Sequence, residues 1–263
     1  MVLEVFQAAE TFDGVSPLNE SGTLVVEGKR AGRLYEREHA AAVADLRDGT
    51  IMLAVHPEHR REGRGTALLT EVLADHPDLT VWAFGSLPGS AELAAKLGLV
   101  PTRTLLRMSR SLPTDDEAPA DARIDHFRPS DAERIVEINA RAFAHHPEQG
   151  KLTLDEFLDL TRQPWFSAEG LKVAREGDDP VGFHWTKRHG DGLGEVYVLA
   201  VDPDHDGKGL GRALLAAGLR HLHEQGDTEV ELYVEESETR VVSMYRAAGF
   251  AIAARDTSYG RKS

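Results

Sequence analysis

VHPEHRREGRGTALL, residues Val55–Leu69, returns in altered form as VDPDHDGKGLGRALL, residues Val201–Leu215, and the two stretches align without a gap 146 residues apart. Each carries a Pro two residues after its Val, a His two residues further on, then Gly-x-Gly and an apolar run. A self-match at this spacing in a chain of 263 residues means two similar units in tandem. The repeated unit is a Gly-rich turn feeding a helix. Glycines let the backbone turn tightly and approach a ligand, and the helix start offers N–H groups without intrahelical partners at the positive end of its dipole. Anions bind at such ends. A single Gly-x-Gly before a helix is usually a plain turn, but two in matching context point to a phosphate-binding device.

The length fits about two domains, each able to bury its own core. With 30 Lys+Arg against 44 Asp+Glu the net charge is −14, and no basic run offsets it locally. Nucleic acid and anionic membrane are therefore not expected as partners, since both need basic surface. The absence of cysteine excludes disulfides, thiolate metal sites and a Cys nucleophile. The opening MVLEVFQAAETFDG has no basic segment followed by an apolar stretch, and no apolar run reaches the roughly 18 residues of a membrane span. The expectation is a soluble, cytoplasmic monomer. No metal is expected either: His221 and His223 are two apart on a helix and diverge, and His145 and His146 are adjacent with no zinc-type spacing around them.

SLPTDDEAPADA (Ser111–Ala122) combines prolines, small residues and acids without apolar periodicity, which marks an exposed linker. It divides the chain into an N-terminal domain over 1–112, a linker over 113–123 and a C-terminal domain over 124–263. Each half runs through strands, the Gly-rich turn, a helix, a strand, a second helix and a closing strand. In the second half Ile124–Phe127, Leu171–Arg175, Pro180–Lys187, Gly194–Val201 and Glu229–Glu236 read as strands by β-branched and aromatic content. Ser130 with Glu133 and Thr153 with Glu156 read as capping boxes opening helices. Leu214, Leu215, Gly218, Leu219 and Leu222 form an apolar stripe on the helix after the loop and are assigned to the core.

Strand, Gly-rich turn, helix, strand, helix is an order that resembles the GNAT superfamily of acetyl-CoA-dependent N-acetyltransferases, and both halves resemble it. The resemblance implies an α/β fold with a mixed sheet, built as two tandem GNAT domains, and acetyl-CoA as co-substrate. In that family the pattern Q/R-x-x-G-x-G/A holds the CoA pyrophosphate through main-chain N–H groups. Arg60, Gly63 and Gly65 match it in the first half; Gly209 and Gly211 match in the second, where Asp206 stands in place of Gln or Arg.

Acetyl transfer to an amine requires a neutral amine, and an α-amino group with a pKa of about 8 must first lose a proton. Glu195, on the strand before the second loop, is the candidate general base. Tyr245 lies four residues before Gly249 on the last helix, where GNAT enzymes present a phenol to the CoA sulfur; its pKa of about 10 against a thiol's of about 8.5 keeps it protonated and able to donate. The first half has Gly49 opposite Glu195 and Ala94 opposite Tyr245. It is therefore expected to hold CoA without turnover, leaving catalysis to the C-terminal domain.

FDGVSPLNE (Phe12–Glu20), HPEQG (His146–Gly150), GFHWTK (Gly182–Lys187), LGEVYVLAVDP (Leu193–Pro203), LYVE (Leu232–Glu235) and DTSY (Asp256–Tyr259) span nearly the whole chain. They resemble the mycothiol synthases, two-domain GNAT enzymes that acetylate the cysteinyl amine of Cys-GlcN-inositol in the last step of mycothiol biosynthesis. The resemblance implies substrate contacts at Glu20, Glu148, Lys187, Glu195 and Tyr233, with Tyr245 as general acid. It implies CoA contacts at Leu199, Ala200, Val201, Asp206, Gly207, Lys208, Gly209, Leu210, Gly211, Arg212, Glu238, Thr239, Arg240, Val241, Val242 and Ser243, and a second CoA site along Leu53, Ala54 and Val55. Glu238 departs from the Asn typical of its position. Carboxylates suit an acceptor with an ammonium and many hydroxyls, while Lys187 and Tyr233 can donate to its oxygens. Two alternatives stay open: a GNAT enzyme for a peptide N-terminus or an aminoglycoside, to which an acidic surface is equally suited, and a non-enzymatic CoA-binding protein.

Overall fold

A computed structural model describes residues 2–113, 121, 123–144 and 149–262. Its helices and strands follow the chain as α1 (Val2–Asp13), α2 (Glu20–Val26), β1 (Gly32–Arg37), β2 (Ala40–Asp45), β3 (Thr50–Val55), α3 (Arg64–Asp75), β4 (Thr80–Ala83), α4 (Ser90–Lys96) and β5 (Leu99–Ser111). The second run is β6 (Ile124–His126), α5 (Ala132–Ala142), α6 (Leu154–Leu160), β7 (Leu171–Glu176), β8 (Asp179–Gly190), β9 (Leu193–Val201), α7 (Leu210–Glu224), β10 (Glu229–Glu235), α8 (Thr239–Ala247) and β11 (Ala251–Arg261). This is the expected α/β class with mixed strand pairing.

The residues gather into two compact units. One comprises Met1–Arg107, Val234–Val242 and Ile252–Ser263, the other Met108–Tyr233 and Ser243–Ala251. The boundary thus does not follow the linker alone: the last strand, β11, belongs with the first unit. There it pairs antiparallel with β4, Thr257 opposite Ala83 and Tyr259 opposite Val81, and the sheet order is β1-β2-β3-β4-β11-β5. Asp256 ties the strand down by accepting from the Gly85 N–H at 2.7 Å. The strands β1 to β3 form an antiparallel meander, and β3 and β4 run parallel, so α3 crosses over between them. Its buried Leu68, Leu69, Val72 and Leu73 pack on Ala42, Ala44 and Ile51 of the sheet.

In the second unit the order is β10-β9-β8-β7-β6, antiparallel except for the β9–β10 pair. α7 is the parallel crossover and buries Leu214, Leu215, Gly218, Leu219 and Leu222 as the apolar stripe requires. The Thr153–Glu156 capping box is formed, with Glu156 N donating to Thr153 Oγ1 at 3.3 Å and Glu156 Oε2 accepting from Thr153 N at 2.9 Å. The Ser130–Glu133 box is not. A 3-10 turn over Pro129–Asp131 precedes α5, and the capping carboxylate is that of Asp131, which accepts from the Arg128 N–H at 2.7 Å while pairing with the buried Arg175. Asp131 makes charge-assisted hydrogen bonds to Arg175 and to the Arg128 N–H at once, which the hydroxyl of the exposed Ser130 cannot match.

His184, from the GFHWTK stretch, is fully buried, with Nδ1 2.9 Å from the Leu214 carbonyl. Burial drives its pKa down to about 4, so it is a neutral core group. Its ring lies where a Cβ on Gly218 would be. Gly218→Ala is therefore expected to destabilise the fold by about 1–3 kcal/mol through overpacking, which exceeds the roughly 0.5–1 kcal/mol gained in helix propensity. Chemical denaturation measures it, and an unchanged midpoint would refute the packing argument.

Candidate active site

Both Gly-rich turns open their helices in the same way. Gly63 (φ +83°) caps α3 and Gly209 (φ +77°) caps α7, each in the left-handed region and each without a side-chain cap. The first N–H groups of the helices are thus left to a ligand, as a phosphate cradle requires. Gly207 is also left-handed, at φ +78°. At Gly211 a Cβ would meet Met244 Sδ at 3.8 Å and Val201 at 3.9 Å, ordinary van der Waals contacts. Asp206 does not simply face outward: its Oδ1 accepts from the Gly207 N–H at 2.8 Å, which takes one donor from the loop.

In the first unit the loop borders a cavity of about 410 Å³ lined by Leu53–Val55, Arg60, Gly63, Gly65, Trp82 and Tyr259 among others. The arginine of the motif is engaged: Arg60 forms a bidentate pair with Asp13 at 2.7 and 2.8 Å and donates to the Val55 carbonyl at 3.1 Å. The FDG of FDGVSPLNE therefore secures the loop from the end of α1. Glu20 begins α2 in the same unit and is exposed.

The chemistry-bearing side chains sit in the second unit. Glu195 on β9 lies opposite Lys187 of β8 in the antiparallel register and opposite Glu231 of β10 in the parallel one. Its residue exposure is only 9%. Burial raises its pKa above the ordinary carboxylate value, the His189 contact and Lys187 pull it down, and Glu231 pushes it up. His189 Nε2 stands 2.7 Å from Glu195 Oε2, and the imidazole is itself 35% exposed. Lys187 holds its ammonium 5.1 Å from the Trp165 ring and 5.3 Å from the Tyr197 ring, a cation–π cage that fixes a flexible chain. Tyr233 contacts Glu231 at 3.5 Å and is exposed.

Tyr245 on α8 is 6% exposed, with its ring edge-on to Phe250 at 5.7 Å. Burial raises its pKa well above that of a free phenol. At the corresponding places in the first unit, Gly49 (φ +68°) faces Leu79 and Ala94 is buried in α4. Of the α8 segment, Glu238, Thr239, Arg240, Val241 and Val242 group with the first unit and Ser243 with the second. Leu199, Ala200 and Val201 end β9, while Lys208, Leu210 and Arg212 sit on the second loop and the first turn of α7. Glu148, His145 and His146 lie outside the described residues.

The acetyltransferase (GNAT) family model matches residues 132–250. The chain is 43% identical to the mycothiol acetyltransferase of Propionibacterium freudenreichii subsp. shermanii over 98% of its own length and 87% of that protein's. To the mycothiol acetyltransferase of Thermobispora bispora it is 42% identical, over 99% and 95% of the two chains. The chain belongs to the mycothiol acetyltransferase family. Its fold matches a GCN5-related N-acetyltransferase from Sphaerobacter thermophilus (TM-score 0.68, 24% identity, 97% and 90% coverage) and a tandem GNAT protein from the clavulanic acid biosynthesis pathway (0.60, 20%, 87% and 78%).

As a member of the mycothiol acetyltransferase family the chain is an acyltransferase, an enzyme of acetyl-CoA-dependent N-acetylation with the tandem GNAT fold. No helix among the described residues is long and apolar enough to cross a membrane. Two residues of the Glu195 corner escaped the sequence reading. His189 had a local signal, since it lies two residues after Lys187 on one strand and alternate residues share a face. Glu231 had none, because its place beside Glu195 depends on a parallel register between strands joined through a whole helix.

Proposed function

We propose that this enzyme transfers the acetyl group of acetyl-CoA to the cysteinyl amine of Cys-GlcN-inositol, with chemistry confined to the second unit. The observation that carries the mechanism is the Glu195–His189 pair. A carboxylate taken out of water with a raised pKa accepts a proton from an ammonium more readily than an exposed one, and does so nearer neutral pH. The proton must then leave a buried corner. The half-exposed imidazole at 2.7 Å provides that exit: Glu195 takes the amine proton, and His189 relays it to solvent. Lys187 and Glu231 flank the base, the cation suited to a carbonyl or hydroxyl oxygen and the carboxylate to the acceptor's ammonium. Tyr245, kept protonated by burial, donates a hydrogen bond to the departing thiolate without ionising. GNAT acetyltransferases take acetyl-CoA as co-substrate, and the Gly207–Arg212 loop, with Leu199–Val201 beside it, is suited to its pyrophosphate and pantetheine arm.

Acetyl-CoA consumption against Cys-GlcN-inositol, an aminoglycoside and a peptide beginning with Ala or Ser tests the acceptor. The pseudodisaccharide is expected to give the highest kcat/KM, and preference for either other acceptor would overturn the assignment. Consumption with none of them would favour a CoA-binding role.

His189→Ala separates the relay from simple packing. Without its partner the Glu195 carboxylate loses a stabilising hydrogen bond, so its pKa rises further and the acidic limb of the kcat/KM profile moves to higher pH. A uniform loss at all pH values, with the limb in place, would reduce His189 to a structural role.

A further inference from the structure

The first unit holds a cluster of histidines that the acetyl-transfer chemistry does not use. His56, which follows β3, and His59, which ends the 3-10 turn Pro57–His59, are three residues apart, and at that spacing a 3-10 turn eclipses its side chains on one side. Glu58 lies between them. One ligating atom from each of His56, Glu58 and His59 falls within 4.8 Å of the others. The Nδ1 of His56 is buried with no hydrogen-bond partner, and His56 provides no side-chain cap to its own turn. A buried polar atom left in this state is costly unless something binds it.

The surroundings prepare the cluster for a cation. His39, held at φ +61° in the β1–β2 turn, stacks on His59 with ring centroids 3.6 Å apart and planes 16° from parallel. The His56 N–H donates to the His39 carbonyl at 2.9 Å and joins the two turns. Glu62 lies 3.8 Å from His59 and Glu38 3.7 Å from His39, with Arg64 bridging those two carboxylates. Glu58, Glu62 and Glu38 bring three carboxylates to the turn, two of them paired with Arg64. The matching turn of the second unit is built differently. Asp202 stands in the place of His56, wholly buried and paired with Arg134 at 2.6 Å and Arg141 at 2.7 Å, and Asp204 in the place of Glu58 pairs with Arg141. There guanidinium groups take up the ligating positions.

We propose that His56, Glu58 and His59 form a divalent transition-metal site of zinc type, supported by the stacked His39, in the first unit. Two neutral imidazoles and one carboxylate are a ligand set suited to Zn²⁺, and the absence of sulfur argues against soft ions. The site is separate from acetyl transfer, and its test does not read activity. The full-length chain, stripped with chelator, is titrated with ZnCl₂ by calorimetry, and with CoCl₂ while its visible absorption is followed. One saturable equivalent is expected, together with a cobalt spectrum of low-coordinate intensity. Glu58→Gln, at an exposed turn position, and His59→Gln should each weaken zinc by on the order of a hundredfold, and His39→Ala by about tenfold. His205→Gln, which alters the corresponding histidine of the second unit, should leave that equivalent unchanged. Zinc should also raise the Tm of wild type and not of Glu58→Gln. A wild-type chain with no saturable equivalent, or undiminished affinity in both Glu58→Gln and His59→Gln, would overturn the site.

Discussion

Glu195→Gln is expected to lower kcat/KM for the amine acceptor by about 10²–10⁴-fold, the usual worth of a positioned general base. The change keeps the shape of the side chain and its hydrogen-bond reach to His189 and removes only its ability to hold a proton. The pH profile carries the sharper information. In the wild type, activity should rise as Glu195 deprotonates, and burial, which raises its pKa, should set that limb above the ordinary carboxylate range. Once the base is gone, the remaining rate should follow only the loss of the amine's own proton near a pKa of about 8. A variant with the wild-type limb intact would move the base elsewhere. Binding of acetyl-CoA, read by calorimetry, should change little, since the loop donors are main-chain groups on another segment.

Tyr245→Phe should cost on the order of a hundredfold in kcat with a small effect on KM for acetyl-CoA. The ring remains packed on Phe250, so the loss reports the hydroxyl. Burial raises the phenol pKa, which makes a full proton transfer to a thiolate uphill and a hydrogen bond to the sulfur the effective contribution. An acetyl thioester of a thiol more acidic than CoA needs that hydrogen bond less, so the gap between wild type and variant should narrow. An unchanged gap, or near-normal turnover with acetyl-CoA itself, would take Tyr245 out of the reaction.

The difference between the halves was legible before any coordinates, because it rests on residue types at aligned positions. Gly49 cannot carry a proton where Glu195 can, and Ala94 cannot donate where Tyr245 can. The first unit holds a cavity of about 410 Å³ beside its Gly-rich turn. The Thr153 capping box was legible for a related reason: its partners are three residues apart. The Ser130 box failed because a competing carboxylate, Asp131, is drawn into an ion pair with Arg175, a residue far along the chain that no local pattern announces.

The amino-acid sequence alone determined the duplication and the two Gly-rich turns that open α3 and α7, since turns and helix starts depend on neighbours in the chain, and through its resemblance to a known family it pointed to the reaction class. The tertiary structure decided what depends on partners distant in sequence. β11 joins the first unit and carries Tyr259 into its cavity; Glu231 lies beside Glu195 through the parallel register; His39 stacks on His59 across two turns. Strand pairing is chosen by whole faces burying against one another, and a shift of one residue reverses every side chain, so these juxtapositions exist only once the sheet has formed.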